Sequence, residues 1–248
     1  MIPSLDATGK VVIVTGGSKG LGREMVLGFA EAGADVVVAS RKVGHCEAVA
    51  EEVREMGRRA LAVSCHVGDW EQCEALVDVT VAEFGCINVL VNNAGIAPVP
   101  PSLLAVTSDL FDKTIAVNLK GPLRLMALSA QHMPPGGSVV NISSKASIYP
   151  SPFTVVYAAA KAGLNALTKA AAQEFGLRGI RVNSIVCGTF HTDSLHASLP
   201  SEEAQAQMAS KVALGRIASA SEIVGTALYL ASDASSYLTG ELIMLDGG

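Results

Sequence analysis

The sequence predicts a doubly wound, three-layer α/β sandwich with a seven-stranded parallel sheet. Seven short runs rich in β-branched residues alternate with longer segments in which Ala, Leu and Val recur every three or four residues. Two of the runs, VVIV from residue 11 and DVVVA from residue 35, are apolar on both faces, so both faces of the sheet need cover. Right-handed βαβ crossovers place helices on both sides of such a sheet. We interpret residues 1–248 as one domain.

The predicted elements follow in strict alternation. The strands are Val11–Thr15, Val36–Ser40, Ala60–Ser64, Val89–Asn92, Ser138–Ile142, Arg181–Val186 and Leu242–Leu245. The helices are Leu21–Ala32, Val43–Met56, Trp70–Phe84, Phe111–Met133, Tyr157–Phe175 and Ser221–Ala231. One long segment, about 188–214, is polar with scattered apolar residues. Because it follows the carboxyl end of a strand, we expect it to form a substrate lid.

The composition excludes several classes of protein. Half of the 248 residues are hydrophobic and 17% are charged, so the chain is not intrinsically disordered. The net charge of −5 comes without a polybasic tract, and we expect neither a nucleic-acid nor a membrane partner. We find neither a run of about 20 apolar residues nor a signal peptide. Five cysteines without a CxxC pair indicate neither disulfides nor a metal site, which favours a cytoplasmic location.

A glycine-rich turn, TGGSKGLG from Thr15 to Gly22, follows the first predicted strand and opens a helix. Backbone N–H groups at such a helix start can bind a pyrophosphate. The spacing Gly-x-x-x-Gly-x-Gly is neither the common GxGxxG fingerprint nor a P-loop, and an ordinary structural turn is the alternative. The residues that we expect to contact a dinucleotide here are Gly16, Ser18, Lys19, Gly20, Leu21 and Gly22.

The end of the second predicted strand favours NADP over NAD. Arg41 stands where an acidic residue would accept the ribose hydroxyls of NAD, and Asp35 lies at the other end of the strand. Arg41 and Lys19 can together neutralise a 2′-phosphate. We therefore predict NADP(H) as the cofactor, with NAD less favoured; the alternative is that Arg41 and Lys42 are a solvated loop pair.

A tyrosine and a lysine four residues apart, Tyr157 and Lys161, fall on one helix face. A nearby ammonium stabilises a phenolate, so we expect Lys161 to lower the tyrosine pKa and make the phenol a proton donor and acceptor. Ser144 follows the fifth predicted strand, at the edge where doubly wound sheets place their chemistry. The neighbouring Ser143 is the alternative to Ser144.

These motifs, taken together, resemble the classical branch of the short-chain dehydrogenase/reductase family over essentially the whole chain. The matching segments are TGGSKGLG, NNAG from Asn92, Asn118, Ser144, YAAAK from Tyr157, RVNS from Arg181 and the terminal YLTG and DGG. The resemblance implies a Rossmann-type fold and hydride transfer between NADP(H) and a carbonyl or alcohol.

The resemblance also implies roles for individual residues. Tyr157 would be the general acid in reduction and the general base in oxidation, while Ser144 would bind the substrate oxygen. Lys161 would contact the nicotinamide ribose, and Asn118 would seat a water that links this lysine to solvent. The further cofactor contacts that it implies are Asn93, Ala94, Gly95, Gly188, Phe190 and Thr192.

The chain departs from the family pattern at two places. His66-Val67 stands where the family has an aspartate-valine pair at the adenine, and we expect His66 and Val67 to bind adenine in an altered way, with Asp69 as a possible substitute. Cys187 stands where the family has a proline before the glycine, and we interpret this cysteine as a packing residue; the alternative is a thiol sensitive to oxidation or alkylation.

Apolar residues after the fifth and sixth strands favour a substrate with a hydrocarbon body. They are Ile148, Tyr149, Pro150, Phe153, Val155, Phe190 and Leu195. We predict an apolar ketone or a 3-oxoacyl thioester. The alternatives are an NAD-dependent dehydrogenase of a sugar, polyol or steroid alcohol, and a nucleotide sensor without turnover.

Small residues dominate the helix from Tyr157, including Ala158, Ala159, Ala160, Ala162 and Gly163. The family commonly pairs this helix across a subunit interface, so the resemblance implies a homotetramer. Packing of the helix against the sheet is the alternative.

Overall fold

The computed structural model describes residues 5–193, 195 and 201–248, and it confirms the predicted fold class. Seven parallel strands form one sheet in the order β3-β2-β1-β4-β5-β6-β7. The strands are β1 Val11–Thr15, β2 Asp35–Ser40, β3 Ala60–Ser64, β4 Val89–Asn92, β5 Ser138–Ser144, β6 Arg181–Cys187 and β7 Leu242–Leu245. The order reverses between β1 and β4, which opens a crevice at the carboxyl ends of these strands.

Helices cover both faces of the sheet, as the two-sided apolar runs predicted. In the part of the chain that the structure describes, they are α1 Gly20–Glu31, α2 Val43–Glu55, α3 Trp70–Phe84, α4 Ser108–Ile115, α5 Gly121–His132, α6 Val155–Phe175, α7 Glu202–Ala209 and α8 Ile223–Ala231. Val12 and Val14 of β1 pack into the core on the side of α1, α2 and α8, while Ile13 between them packs on the side of α3 and α5. None of the described helices has the length and hydrophobicity needed to cross a membrane.

The prediction of one continuous helix over Phe111–Met133 is wrong in one respect. It is interrupted by a turn of π-helix, Ala116–Lys120, between α4 and α5. The extra residue in this turn arises because Gly121 N–H bonds to Ala116 O rather than to the carbonyl four residues back. Gly121 also packs so closely on the backbone of Val67 that a Cβ would lie 2.2 Å from its oxygen.

Strands β5 and β6 run further than predicted, to Ser144 and Cys187. These two residues are partners in the parallel register, so pairing carries both strands to the crevice. Helix α6 begins two residues earlier than predicted, at Val155, which puts Tyr157 in its first turn.

The segment predicted as a lid lies partly outside the described residues, which omit 194 and 196–200. Its first part pairs with the main body, since Phe190 forms a bridge to Ala218. Its second part contains α7 and ends on the carboxyl terminus, where Leu214 N–H donates to Gly247 O at 3.1 Å. Closure of this segment over a substrate stays a prediction.

Candidate active site at the carboxyl edge of the sheet

The glycine turn between β1 and α1 leaves space for a ligand, and Cβ atoms at its glycine positions would fill that space. Gly16 and Gly20 have φ of +66° and +53°, a left-handed conformation that favours glycine. A Cβ on Gly22 would lie 2.2 Å from Gly16 O, so the turn closes only without that atom. Lys19 at the N-cap of α1 makes no side-chain cap bond, which leaves first-turn N–H groups of the helix available to an anion. The turn therefore fits a dinucleotide pyrophosphate.

The NNAG segment after β4 is fastened to this turn. Asn93 Nδ2 donates to Thr15 O at 2.8 Å, and Thr15 Oγ1 accepts from the backbone N–H groups of Asn93 and Ala94 at 3.0 and 3.1 Å. The Asn93 side chain is thus engaged within the protein. Gly95 next to it packs tightly on the π-helical turn, because a Cβ there would lie 3.0 Å from Asn118 Oδ1 and 3.8 Å from Lys161 Nζ.

Arg41 lies at the carboxyl end of β2 with an exposed side chain, as the NADP prediction requires. Its backbone is anchored, since Ser64 Oγ donates to Arg41 O at 3.3 Å, and no described carboxylate pairs with its guanidinium. Lys19 is also exposed and lies 3.9 Å from Asp193, a weak surface contact. The carboxylate of Asp35, at the other end of β2, accepts from Arg59 N–H at 2.9 Å.

The structure gives His66 a defined hydrogen-bond pattern. Its Nδ1 accepts from Gly68 N–H at 3.2 Å. A neutral imidazole then carries its proton on Nε2, so this histidine would donate to adenine and not accept from it. Asp69 is not free to replace it, because its carboxylate caps α3 by accepting from Glu71 N–H and Gln72 N–H.

Ser144, Tyr157 and Lys161 converge at the end of β5. The Ser144 hydroxyl accepts from Ala146 N–H at 3.2 Å, and its side chain is hydrogen bonded to the Tyr157 phenol. Lys161 Nζ donates to Ile142 O at 2.7 Å and lies 5.8 Å from the centroid of the Tyr157 ring. The alternative serine, Ser143, is buried and its hydroxyl is directed at Ser147 Oγ, 3.4 Å away.

Burial controls the electrostatics of this cluster. It raises the pKa of Tyr157, and the hydrogen bond from Ser144 offsets part of that shift. Burial also lowers the pKa of Lys161 to about 8. The expected lowering of the tyrosine pKa by Lys161 is absent from this geometry, since its ammonium group is held on Ile142 O. Cys187 is buried against the same two residues, and burial raises its pKa to about 12, which fits a packing role.

Asn118 lies in the π-helical turn, and its side chain binds the chain after β4. Its Nδ2 donates to Ile96 O and Thr114 O, both at 2.9 Å, and its Oδ1 accepts from Ile96 N–H. These bonds occupy the side-chain amide. A water bound by this residue would therefore have to use the remaining lone pair of Oδ1 or the backbone.

Of the three predicted cofactor contacts after β6, one lies beside the glycine turn and the other two pack within the protein. Gly188 packs on Asp246, where a Cβ would lie 2.6 Å from Asp246 Cα. Thr192 lies beside the glycine turn, with its methyl group 3.5 Å from the position of a Cβ on Gly20. Phe190 is 5% exposed and packs in the core, so it contributes little surface to a ligand.

Sequence reasoning missed an ion pair beside Ser144. Lys145 Nζ lies 2.7 Å from Asp246 Oδ2, which connects the residue after Ser144 to the carboxyl-terminal segment. The terminal DGG motif marks Asp246 in the sequence, but nothing in the sequence indicates which residue pairs with this aspartate.

Comparison with known proteins identifies the family. The family model described as "Enoyl-(Acyl carrier protein) reductase" matches residues 16–248. This chain belongs to the short-chain dehydrogenase/reductase family. The family members are oxidoreductases, and the family resemblance seen in the motifs is therefore confirmed.

Two relatives and one solved structure illustrate the range of similar proteins. The chain is 34% identical over 244 residues to L-rhamnose 1-dehydrogenase (NAD(P)(+)) of Sphingomonas sp. (strain SKA58), covering 97% of this chain and 96% of the relative. It is 36% identical over 242 residues to the 3-oxoacyl-[acyl-carrier-protein] reductase FabG of Thermotoga maritima, covering 97% of each. A blue fluorescent protein from a metagenomic library, solved in complex with NADPH, superposes with a TM-score of 0.92 at 31% identity and 98% coverage of both chains.

Proposed function

We propose that this protein transfers hydride between NADP(H) and a carbonyl or alcohol, and that it acts as a reductase of an apolar ketone or a 3-oxoacyl thioester. The observation that carries the proposal is the convergence of Ser144, Tyr157 and Lys161 at the end of β5, beside the crevice that begins at the glycine turn. A site built in this way can position a carbonyl oxygen against two hydroxyl groups.

In reduction, bound NADPH supplies the hydride to the carbonyl carbon. The Tyr157 phenol donates its proton to the carbonyl oxygen, and Ser144 donates a hydrogen bond to the same oxygen. Ala146 N–H occupies one acceptor site on the Ser144 hydroxyl, and the single hydroxyl proton, which is shared with the Tyr157 phenol when no substrate is bound, would turn to the carbonyl oxygen when substrate binds. Lys161 lies 5.8 Å from the centroid of the phenol ring with its ammonium held on Ile142 O, and we assign it to binding the nicotinamide ribose. In oxidation the same groups act in reverse.

The choice of NADP rests on Arg41 and Lys19. Both cations are exposed near the carboxyl edge of the sheet, and Arg41 has no carboxylate partner among the described residues. A 2′-phosphate would give the guanidinium a charge-assisted, bidentate partner. The NADPH complex of the structural neighbour is consistent with this choice.

The substrate class rests on the apolar residues beside Ser144. Ile148, Tyr149 and Phe153 are 43%, 66% and 55% exposed, which is unusual for such side chains next to a crevice. They offer apolar surface to the body of a ketone or an acyl chain. The similar 3-oxoacyl reductase makes an acyl thioester a reasonable member of the class.

A second candidate is an NAD-dependent dehydrogenase of a sugar, polyol or steroid alcohol, which the similarity to an L-rhamnose dehydrogenase favours. A panel separates the two candidates. Nicotinamide absorbance would be followed with an aliphatic methyl ketone, acetoacetyl-CoA, L-rhamnose and a steroid alcohol, each with both forms of NADP and NAD. We expect the fastest turnover for NADPH with a ketone or the thioester; faster oxidation of the sugar or steroid with NAD⁺ would replace our proposal by the second.

We also propose a homotetramer within the cytoplasm. A groove of about 350 Å³ runs between α5 and α6 and is lined by small and apolar residues that include Leu123, Ala127, Leu167 and Ala170. A second copy of the chain can pack there, because small residues permit close helix approach. The free thiols of all five cysteines are consistent with a reducing compartment. Light scattering that gives the mass of one subunit would overturn the assembly.

A further inference from the structure

Helix α6 carries a third polar residue on the same face as Tyr157 and Lys161. Asn165 lies one turn beyond Lys161, at the i+8 position from the tyrosine, and it is only 7% exposed. All three side chains point toward β5 and the turn that follows it. The proposed reaction uses the first two and leaves Asn165 without a role.

Asn165 is connected to Ser144 through one hydroxyl group. Its Nδ2 donates to Ser147 Oγ at 2.8 Å, and Ser147 Oγ donates to Ser144 O at 2.6 Å. A serine hydroxyl has a single proton, so Ser147 can donate to Ser144 only if Asn165 presents its NH₂ group. The two bonds therefore fix each other's direction.

The same face of α6 is held to β5 at a second point. Lys161 Nζ donates to Ile142 O, two residues before Ser144, and the Asn165–Ser147 pair binds Ser144 O. One contact therefore holds β5 two residues before the serine that meets the Tyr157 phenol, and the other holds the backbone of that serine itself. Ser144 also caps the short helical turn Lys145–Ser147 through Ala146 N–H, so movement of this turn would rotate the Ser144 hydroxyl.

We propose that Ser147 and Asn165 are positioning residues that hold the Ser144 hydroxyl against the Tyr157 phenol. The inference rests on the proposed function, because it assigns a purpose to the Ser144–Tyr157 contact. It adds two residues that touch neither substrate nor cofactor and act only through Ser144.

Loss of the Ser144–Tyr157 hydrogen bond would change the pKa of Tyr157, which can be measured. The titratable groups that face Tyr157 are Lys161 of α6 and Cys187 of β6, and the bond from Ser144 favours the phenolate. Displacing Ser144 weakens that bond and raises the pKa of Tyr157. In alcohol oxidation, which needs the phenolate, the rise of rate with pH would then occur at higher pH.

The test uses Ser147→Ala, Asn165→Ala and the isosteric Asn165→Asp, with Ser147→Thr as the conservative variant. An aspartate at 165 would accept the single Ser147 proton and draw it away from Ser144 O. Ser129→Ala is the matched control, because it also removes a buried hydroxyl, one for which the described chain holds no partner. NADPH affinity and Tm are measured for every variant.

With the panel substrate that the wild type turns over fastest, we expect kcat and kcat/KM of the first three variants to fall together by about ten-fold, with NADPH affinity unchanged. Their pH profiles should shift upward, as for Ser144→Ala but less, while Ser147→Thr and Ser129→Ala match the wild type. Wild-type kinetics and pH profiles in Ser147→Ala and Asn165→Asp would overturn the inference.

A titration that needs no substrate provides the second readout. Phenolate absorbance of each protein, minus that of its Tyr157→Phe counterpart, reports Tyr157 alone. We expect its pKa to be higher in Ser147→Ala and Asn165→Asp than in the wild type, and equal values would overturn the inference. Failure of the proposed function has a different appearance, since turnover would then survive Tyr157→Phe in the wild-type background.

Discussion

The two ends of the candidate site differ in what they are built from. The glycine turn of residues 16–22 relies on backbone: a Cβ at Gly22 would meet Gly16 O at 2.2 Å, while the charged side chains nearby, Lys19 and Arg41, are exposed. The chemical end relies on side chains: Lys161 is 3% exposed and hydrogen bonded to the backbone of β5. An added side-chain atom should therefore reduce NADPH binding at the glycine turn most strongly. A changed functional group should reduce turnover at the chemical end most strongly.

The largest effect should come from removing the phenolic hydroxyl. Tyr157→Phe deletes the proton donor while keeping the ring, so we expect kcat to fall by about a thousand-fold or more. NADPH affinity, measured by fluorescence titration, should change less than two-fold, since the glycine turn is untouched. Tyr237→Phe, at a fully exposed position, is the control and should retain full activity. Comparable turnover in the two variants would remove Tyr157 from the mechanism.

At the glycine turn, one methyl group should be enough to disrupt binding. Gly22→Ala forces Gly16 and α1 apart, so we expect NADPH affinity to fall by about a hundred-fold and the Tm to drop. Gly44→Ala is the matched control, because its Cβ would have no neighbour within 4 Å. This control substitution should stabilise the protein by up to about 1 kcal/mol, as at other compatible glycines. Equal NADPH affinities for both variants would contradict the proposed binding at the glycine turn.

Lys161→Met tests two effects of the buried ammonium group separately: its cost to the free energy of unfolding and its use in catalysis. The folded pKa of about 8 lies below the ordinary lysine value of 10.5, so the folded state holds this proton less tightly than the unfolded state does. Stability from this residue is therefore greatest above pH 10.5 and is lost as the pH falls to about 8. We expect the methionine variant to be inactive but more stable than the wild type at pH 7, by at most about 3 kcal/mol. Denaturant unfolding at several pH values checks this, and the difference should shrink toward pH 10.

A smaller effect is expected from the exposed cation at the phosphate end. Arg41→Ala should weaken NADPH binding by about ten-fold and leave NADH binding unchanged, because only NADPH carries the 2′-phosphate. The affinities of both cofactors would be measured on the same protein, with Lys113→Ala as a control for loss of a surface charge. A parallel loss of NADH affinity would show that Arg41 supports the loop and does not select the cofactor.

The sheet and the main site residues were predictable because they leave regular signals. The run VVIV is apolar at every position and became a fully buried central strand, and the Tyr157–Lys161 spacing placed both side chains on one face of α6. The glycine turn was recognisable because its glycines fall between the first strand and the first helix, where the helix start can bind a pyrophosphate.

Other features depend on contacts between distant parts of the chain. The π-helical turn at Ala116–Lys120 has no local sequence signal, and neither has the pairing of Lys145 with Asp246, a hundred residues later. The direction of the Tyr157 pKa shift was also beyond the sequence: it depends on how deeply the phenol is buried and on where the Lys161 ammonium is bound. The lid prediction falls partly on residues outside the described ranges.

The most direct test of the account follows the hydride itself. The protein would be incubated with NADPH carrying deuterium at both C4 positions and with the ketone or thioester that it reduces fastest, and the product alcohol would be analysed by mass spectrometry. We predict one deuterium on the carbinol carbon with the wild type, and about a thousand-fold less labelled product in the same time with Tyr157→Phe, although the variant binds NADPH. A product without deuterium, or a labelled product formed equally well by the variant, would contradict the account.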